Sequence, residues 1–483
     1  MKSVRVLSVA SEIFPLVKTG GLADVVGALP IALKGEGVDT HTLVPGYPAV
    51  LSSLRMATPV IEWAPFFGAK ARVLKGAHGE LDLFALDAPH LFARSDNPYL
   101  SPEGKDWPDN GRRFAALARM AANIGLGAIP AFVPDVVHAH DWQAGLAPAY
   151  LKYSHQRAPA TVFTVHNLAY QGKFPREMLG EFELPAEAFH IDGVEYYGGI
   201  GFLKGGLRLA DRITTVSPTY AKDIQTDEGG MGLGGLLRER AGDLRGILNG
   251  IDTSVWNPTT DPQIAERYDA DRLQDRMANK AALQRRLGLQ AEPDAFLLGV
   301  ISRMSWQKGL DLLLDNVPMI ASEGMQLVVL GTGDADLQDM YRAAARANPG
   351  KLAVLIGYDE GLAHLIQAGA DAVVVPSRFE PCGLTQLCAL RYGAVPIVSG
   401  VGGLEDTVSD TDVMGGESAT GFKFSPVTTQ NLTRTLRRAH ATFRDKTAWR
   451  RIQQNGMSTD VSWRDRATRY AELYREILHP RMT

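Results

Sequence analysis

The 483-residue chain is poor in cysteine, in surplus charge of either sign and in long apolar runs. Its two cysteines, Cys382 and Cys388, stand too far apart for a Cys-x-x-Cys metal or redox motif, and they exclude a disulfide framework. A reducing compartment suits that usage. With 50 Lys and Arg against 54 Asp and Glu the net charge is −4, so no overall basic surplus draws the chain to nucleic acid or to an anionic membrane. No stretch approaches the roughly 18 consecutive apolar residues of a membrane span. The opening segment, MKSVRVLSVASEIFP, has one short apolar run cut off by Glu12, unlike a secretory signal, and a cytoplasmic protein is expected. Glycine and proline together make up about 16%, short of low complexity. A hydrophobic share of 45% and a charged share of 22% exclude a disordered chain. At roughly 100–200 residues per domain, two to four domains are expected, each able to bury a core.

What the sequence does contain is alternation. Apolar runs at Val4–Ala10, Asp135–His138, Thr161–His166 and Arg212–Ser217 predict buried strands, with helices at Gly111–Ile124 and Lys204–Ala210. Strands alternating with helices predict an α/β fold with a doubly wound parallel sheet. The pattern restarts after 249–262, where Asn-Pro and Asp-Pro pairs and a glycine favour turn geometry. One wound domain is therefore expected over 1–252 and a second over 253–460. The second half predicts strands at Phe296–Ser302, Gln326–Leu330, Leu352–Ile356, Ala372–Val375 and Val395–Val398, with helices at Leu362–Ala368 and Leu384–Tyr392. From Trp463 to Leu478, apolar residues recur at helical spacing. Two wound sheets facing a cleft place ligands beyond the carboxyl ends of their strands, so functional residues are sought just after strands.

Five such places carry chemistry. Lys18-Thr-Gly-Gly-Leu-Ala-Asp24 follows the first strand, and Gly20 and Gly21 let backbone N–H groups approach an anion, with Lys18 adding charge. A plain strand–helix turn is the competing account. His138-Ala-His-Asp-Trp142 and Thr164-Val-His-Asn167 follow two further strands. Without a third ligand at suitable spacing no metal is expected, and His138 reads as a hydrogen-bonded structural histidine. Asp141 and His166 open on one edge and suit the directional hydrogen bonds that sugar hydroxyls need. In Ser302-Arg-Met-Ser-Trp-Gln-Lys-Gly309, Arg303 and Lys308 can converge on a phosphate-rich group, each giving around 4 kcal/mol of gross attraction at about 4 Å and an effective dielectric near 20. That stabilises a diphosphate leaving group without a metal. In Glu380-Pro-Cys-Gly-Leu-Thr-Gln386, proline holds Glu380 extended, and Gly383, Leu384 and Thr385 open a helix with free N–H groups. Glu380 then either meets positive charge developing on a glycosyl carbon or merely caps that helix. Three weaker features remain. Gly331-Thr-Gly-Asp334 lacks the third glycine of a dinucleotide motif and reads as a turn; Tyr358 is either a base-stacking ring or a packing residue; and Gly400–Asp406 repeats the glycine-loop theme.

Lys18–Leu22, the His-Asp-Trp of 140–142, Ser302–Gly309 and Glu380–Gln386, together and in this order, resemble the bacterial glycogen synthase and plant starch synthase family over essentially the whole chain. The resemblance implies a GT-B fold of two Rossmann-like domains, with residues 461–483 crossing back onto the first. It also implies transfer of glucose from ADP-glucose to the non-reducing end of an α-1,4-glucan such as glycogen, with retention at the anomeric carbon. No metal or other cofactor, nucleic acid or membrane partner is implied. By the same resemblance, Lys18, Gly20 and Gly21 form a donor loop with Asp24 beside it, Asp141 and His166 contact the transferred glucose, and Asn249 lies near the donor. Arg303 and Lys308 hold the diphosphate with Gly383, Leu384 and Thr385; Tyr358 stacks on adenine; Glu380 is the catalytic carboxylate, and Cys382 lies close to it. Many retaining GT-B enzymes carry a second glutamate in an E-x7-E arrangement, but here that position is Cys388. A glucan phosphorylase or a catalytically inactive glucan-binding protein is the alternative, although no segment offers a lysine for the phosphorylase's pyridoxal cofactor.

Overall fold

The computed structural model describes residues 3–94, 97–412 and 417–479. The chain divides into two compact units, one of Met1–Asn249 with Trp463–Thr483, the other of Gly250–Ser462.

The first unit is built on a nine-stranded sheet. Its strands are β1 (Val4–Val9), β2 (Val38–Pro45), β3 (Arg55–Phe66), β4 (Ala69–His78), β5 (Leu81–Asp87), β6 (Val136–His140) and β7 (Ala160–Val165), with β11 (Arg212–Thr215) and β12 (Leu244–Gly246). A small separate sheet holds β8 (Lys173–Phe174), β9 (Glu195–Tyr196) and β10 (Gly199–Gly201). The large sheet runs β12-β11-β7-β6-β1-β2-β5-β4-β3. Seven of its strands are parallel, but β3 and β4 add an antiparallel edge that departs from the all-parallel expectation. The departure is legible physically. Arg55–Phe66 is mostly exposed, interrupted by Pro59 and Pro65 and by register shifts against β4, and such a strand is tolerated only at an edge. The central strands are buried on both faces and read as continuous apolar runs.

One face of that sheet packs beneath the last helix, Arg464–Leu478. Its Ala467, Tyr470, Ala471, Tyr474 and Ile477 recur at three- and four-residue spacing and meet Val6, Val136, Ala160 and Val162, together with Val25 and Leu29 of the helix Gly21–Lys34. The strand expected at 135–138 continues two residues further, so His138 and His140 lie within β6. Hydrogen bonds on the buried face allow it. His138 Nδ1 meets Tyr474 Oη at 2.7 Å, His138 Nε2 meets Thr164 Oγ1 at 2.6 Å, and Ser8 Oγ meets His140 Nε2 at 3.2 Å.

The second unit has six parallel strands, β13 (Leu297–Ile301), β14 (Gln326–Gly331), β15 (Leu352–Ile356), β16 (Ala372–Val375), β17 (Val395–Ser399) and β18 (Phe422–Phe424), ordered β15-β14-β13-β16-β17-β18. Phe296, Leu298, Val300, Leu327 and Val329 face one core cluster; Leu297, Val328 and Leu330 face another on the opposite side. The chain order reverses beside β13, as it does beside β1 in the first unit. In open α/β sheets that reversal opens a crevice at the strands' carboxyl ends.

Candidate active site

In the first unit the crevice position is flanked by the loops after β1, β6 and β7. Glu12, just past β1 and 3% exposed, organises the first of them. Its carboxylate accepts from the Thr19 amide at 2.5 Å, the Thr19 hydroxyl at 2.6 Å, the Gly20 amide at 3.3 Å and the Tyr99 hydroxyl at 2.5 Å. The glycine loop is thus tied down by a carboxylate that reads in the sequence only as the end of an apolar run. The helix Gly21–Lys34 starts directly after it, with Gly20 extended at its N-cap. Lys18 pairs with Asp24 at 2.9 Å; both are about one-quarter exposed, so water screens the pair. Lys18, Thr19, Tyr47 and Arg94 line a cavity of about 400 Å³ beside this loop.

Asp141 opens the short helix after β6 in the left-handed region, φ +55°, which a buried non-glycine residue adopts only under strain. Its carboxylate accepts from the His166 backbone amide at 2.7 Å, bringing the loops after β6 and β7 together. Burial raises the Asp141 carboxyl to about 7, against the opposing pull of the His166 and Asn167 amides. His166 Nε2 lies 3.0 Å from His140 Nδ1, and burial lowers His166 to about 3, so its ring is neutral. His138 is likewise held to about 3 by burial, with His166 adding to the effect, and Tyr474 and Thr164 occupy both its nitrogens. Trp142 packs among Phe114, Phe174 and Phe202. Asn249 is buried, and its side-chain oxygen has no hydrogen-bond partner among the described residues.

In the second unit the loops after β13 and β16 meet. Lys308 Nζ lies 2.6 Å from Glu380 Oε2, and the two side chains are 17% and 6% exposed. Ser377 Oγ donates to the same oxygen at 2.8 Å, while Ser399 Oγ donates to the Ser377 carbonyl at 2.5 Å. The carboxylate therefore faces Lys308 and Ser377 and does not cap the helix Thr385–Tyr392. Two glycines make the approach possible. A Cβ on Gly309, φ +65°, would sit 2.0 Å from the Pro376 carbonyl, and one on Gly402, φ +45°, 2.0 Å from that of Glu380.

Around this pair, Thr385 begins the helix, Leu384 is its N-cap, Gly383 is left-handed at φ +73°, and Cys382 is buried. Arg303 is exposed in the Lys308 loop, and Met304 fastens that loop to the one after β14 through hydrogen bonds with Thr332 and Asp334. Asp334 caps the helix Ala335–Ala347 by accepting from the Leu337 amide. Tyr358, past β15, is 70% exposed, which removes the packing account of it, and its hydroxyl donates to Glu360. No group of three or more His, Cys, Asp or Glu able to hold a metal occurs among the described residues. Glu12, Ser377 and Ser399 are the residues that sequence reasoning missed. Only Glu12 left a signal, an acid placed between a buried strand and a glycine loop.

Residues 5–239 match the family of starch synthase catalytic domains, and 285–452 match the glycosyl transferases of group 1. The chain is 65% identical over 481 residues to glycogen synthase 2 of Bradyrhizobium diazoefficiens and 58% identical over 483 residues to a glycogen synthase of Methylocella silvestris, each covering 100% of both chains. Among solved structures, the catalytic domain of starch synthase IV from Arabidopsis thaliana, bound to ADP and acarbose, superposes with a TM-score of 0.89 at 33% identity, covering 98% of this chain and 99% of that one. Sucrose-phosphate synthase from Thermosynechococcus elongatus shares the fold at a TM-score of 0.60 and 17% identity, over 99% and 100% of the two chains.

Proposed function

The chain belongs to the glycogen and starch synthase family of GT-B glycosyltransferases, and from that premise we propose that it moves glucose from ADP-glucose to the non-reducing end of an α-1,4-glucan, with retention at the anomeric carbon. The observation that carries the reading is the Lys308–Glu380 pair at the chain reversal of the second unit. Departure of ADP develops negative charge on a diphosphate and positive charge on the glucosyl carbon. Lys308, Arg303 and the amides that open the helix at Thr385 stabilise the first; the Glu380 carboxylate stabilises the second. Once the diphosphate engages Lys308, Glu380 loses its cation and its charge is free to act on the sugar. The acceptor hydroxyl attacks from the side the diphosphate leaves and passes its proton to the departing diphosphate oxygen, which retains configuration without an obligatory covalent intermediate.

The first unit recognises the sugar and adds one charged loop for the donor. Neutral His166 and the Asp141 carboxyl hydrogen-bond hydroxyls of the transferred glucose, Asn249 lies near the donor, and the Lys18–Gly21 loop with Asp24 serves the donor. Tyr358 stacks on adenine, and Gly383 and Leu384 shape the diphosphate cradle beside Cys382. Cations supply the positive charge, so the reaction asks for no metal. A cytoplasmic location belongs to the same reading. Among the described residues no helix is long and apolar enough to cross a membrane.

Transfer of labelled glucose to glycogen, with ADP-glucose and UDP-glucose in parallel, tests the proposal. Incorporation from ADP-glucose that falls at least about 10²–10³-fold in Glu380→Gln is expected. Incorporation only from UDP-glucose, β-linked product, or an undiminished Glu380→Gln variant contradicts it.

A further inference from the structure

The mechanism leaves Trp306 unused. It is the exposed member of the seven tryptophans, with 67% of its surface open, whereas the other six are buried or half-buried. It opens the short turn Trp306–Lys308, two residues before the lysine that holds Glu380.

The indole is exposed but not loose. The Arg378 guanidinium lies over its ring, 4.7 Å from the centroid, and donates to the Trp306 carbonyl at 2.7 Å. Arg378 is itself fixed by a two-point pair with Asp311 at 2.7 and 2.6 Å. Its backbone amide donates to the Gln307 carbonyl at 2.8 Å, and the Gln307 side chain donates to the Phe379 carbonyl at 3.2 Å. These bonds tie the Trp306 turn to the loop segment 378–380 that carries the reacting carboxylate. An exposed aromatic ring costs solvation free energy unless something covers it, and a ring already held rigid loses little entropy when covered.

The chemistry of the surroundings selects the cover. A flat indole with Arg378 over one face offers its other, apolar face to the C–H side of a pyranose ring, while Arg378 and its partner Asp311 offer a donor and an acceptor to hydroxyls. An adenine has its own exposed ring in Tyr358, past β15 and separated from β13 by the whole of β14. We propose that Trp306, braced by Arg378, is a subsite for the glucan acceptor that stacks on one of its glucose rings. The inference rests on the glucan reading above.

Kinetics with maltooligosaccharide and with glycogen, on wild type, Trp306→Ala and Trp306→Phe, test it. The alanine variant raises KM for maltooligosaccharide roughly tenfold, the size of one truncated aromatic contact, with the loss falling on glucan KM more than on kcat. KM for ADP-glucose stays put, and phenylalanine recovers most of the loss. In the wild type, maltooligosaccharide also shields tryptophan fluorescence from acrylamide, and Trp306→Phe abolishes the shielding. An active alanine variant with unaltered glucan KM overturns the inference, as does one whose KM rises for ADP-glucose instead. A wild type that transfers no glucose while maltooligosaccharide still shields Trp306 overturns the transferase reading and leaves the subsite standing.

Discussion

In the first unit His138, His140 and His166 are buried and neutral beside an Asp141 carboxyl lifted to about 7, whereas in the second Lys308 and Glu380 are buried as an ion pair. Both clusters stand at the carboxyl ends of parallel strands where chain order reverses, so the fold alone does not set the difference. The side chains do. His138 and His140 spend their nitrogens inside the protein, and a neutral His166 beside a carboxyl held by a backbone amide suits hydroxyl groups, whose hydrogen bonds are directional and uncharged. A lysine and a glutamate held 2.6 Å apart suit a bond that breaks into ions. On the proposed reading, the first unit recognises the sugar and the second handles the charge of the leaving group.

Removing one partner of the charged pair breaks this contrast most severely. Lys308→Met takes the cation from the buried Glu380 and leaves it the Ser377 hydroxyl, and a cost of about 3–5 kcal/mol in unfolding free energy is expected. Lys308→Met with Glu380→Gln recovers much of that loss, because no buried charge remains. Denaturant melts of the two single variants and the double variant check this; strictly additive losses contradict it.

A smaller effect sharpens the other side. Asp141 is raised above its unfolded value near 3.8, so its contribution to stability is complete below that value and is lost as pH rises to about 7. Asp141→Asn cannot ionise. Its stability relative to wild type therefore climbs between pH 4 and pH 7, at most about 1.4 kcal/mol per pH unit, and levels off above. Glucose transfer falls in the same variant. Thermal melts from pH 4 to 9 decide it, and a difference that does not vary with pH removes the buried-acid account.

Legibility in the sequence followed the range of the interactions. Strand Ala372–Val375 sits where its apolar run predicts, because strand burial on both faces writes itself into consecutive residues. The β3–β4 edge was opaque, since its two prolines and mostly exposed residues break the apolar pattern that marks a buried strand, even though its partner is the next strand along the chain. β6 ran past its predicted end because the added His140 meets Ser8, 132 residues away, and no local pattern announces that partner. In the candidate site the charged residues were legible from motif and strand end. Their supports were not: Ser377 and Ser399 hold Glu380 in a geometry that exists only once β16 and β17 lie side by side.

The division of labour is tested most directly by calorimetric binding of ADP to wild type, Lys308→Met and Asp141→Asn, each at low and high salt. A charged second unit predicts that Lys308→Met weakens ADP roughly tenfold to a hundredfold and flattens the salt dependence, while Asp141→Asn binds ADP like wild type. Loss of ADP affinity in Asp141→Asn as large as in Lys308→Met would contradict it.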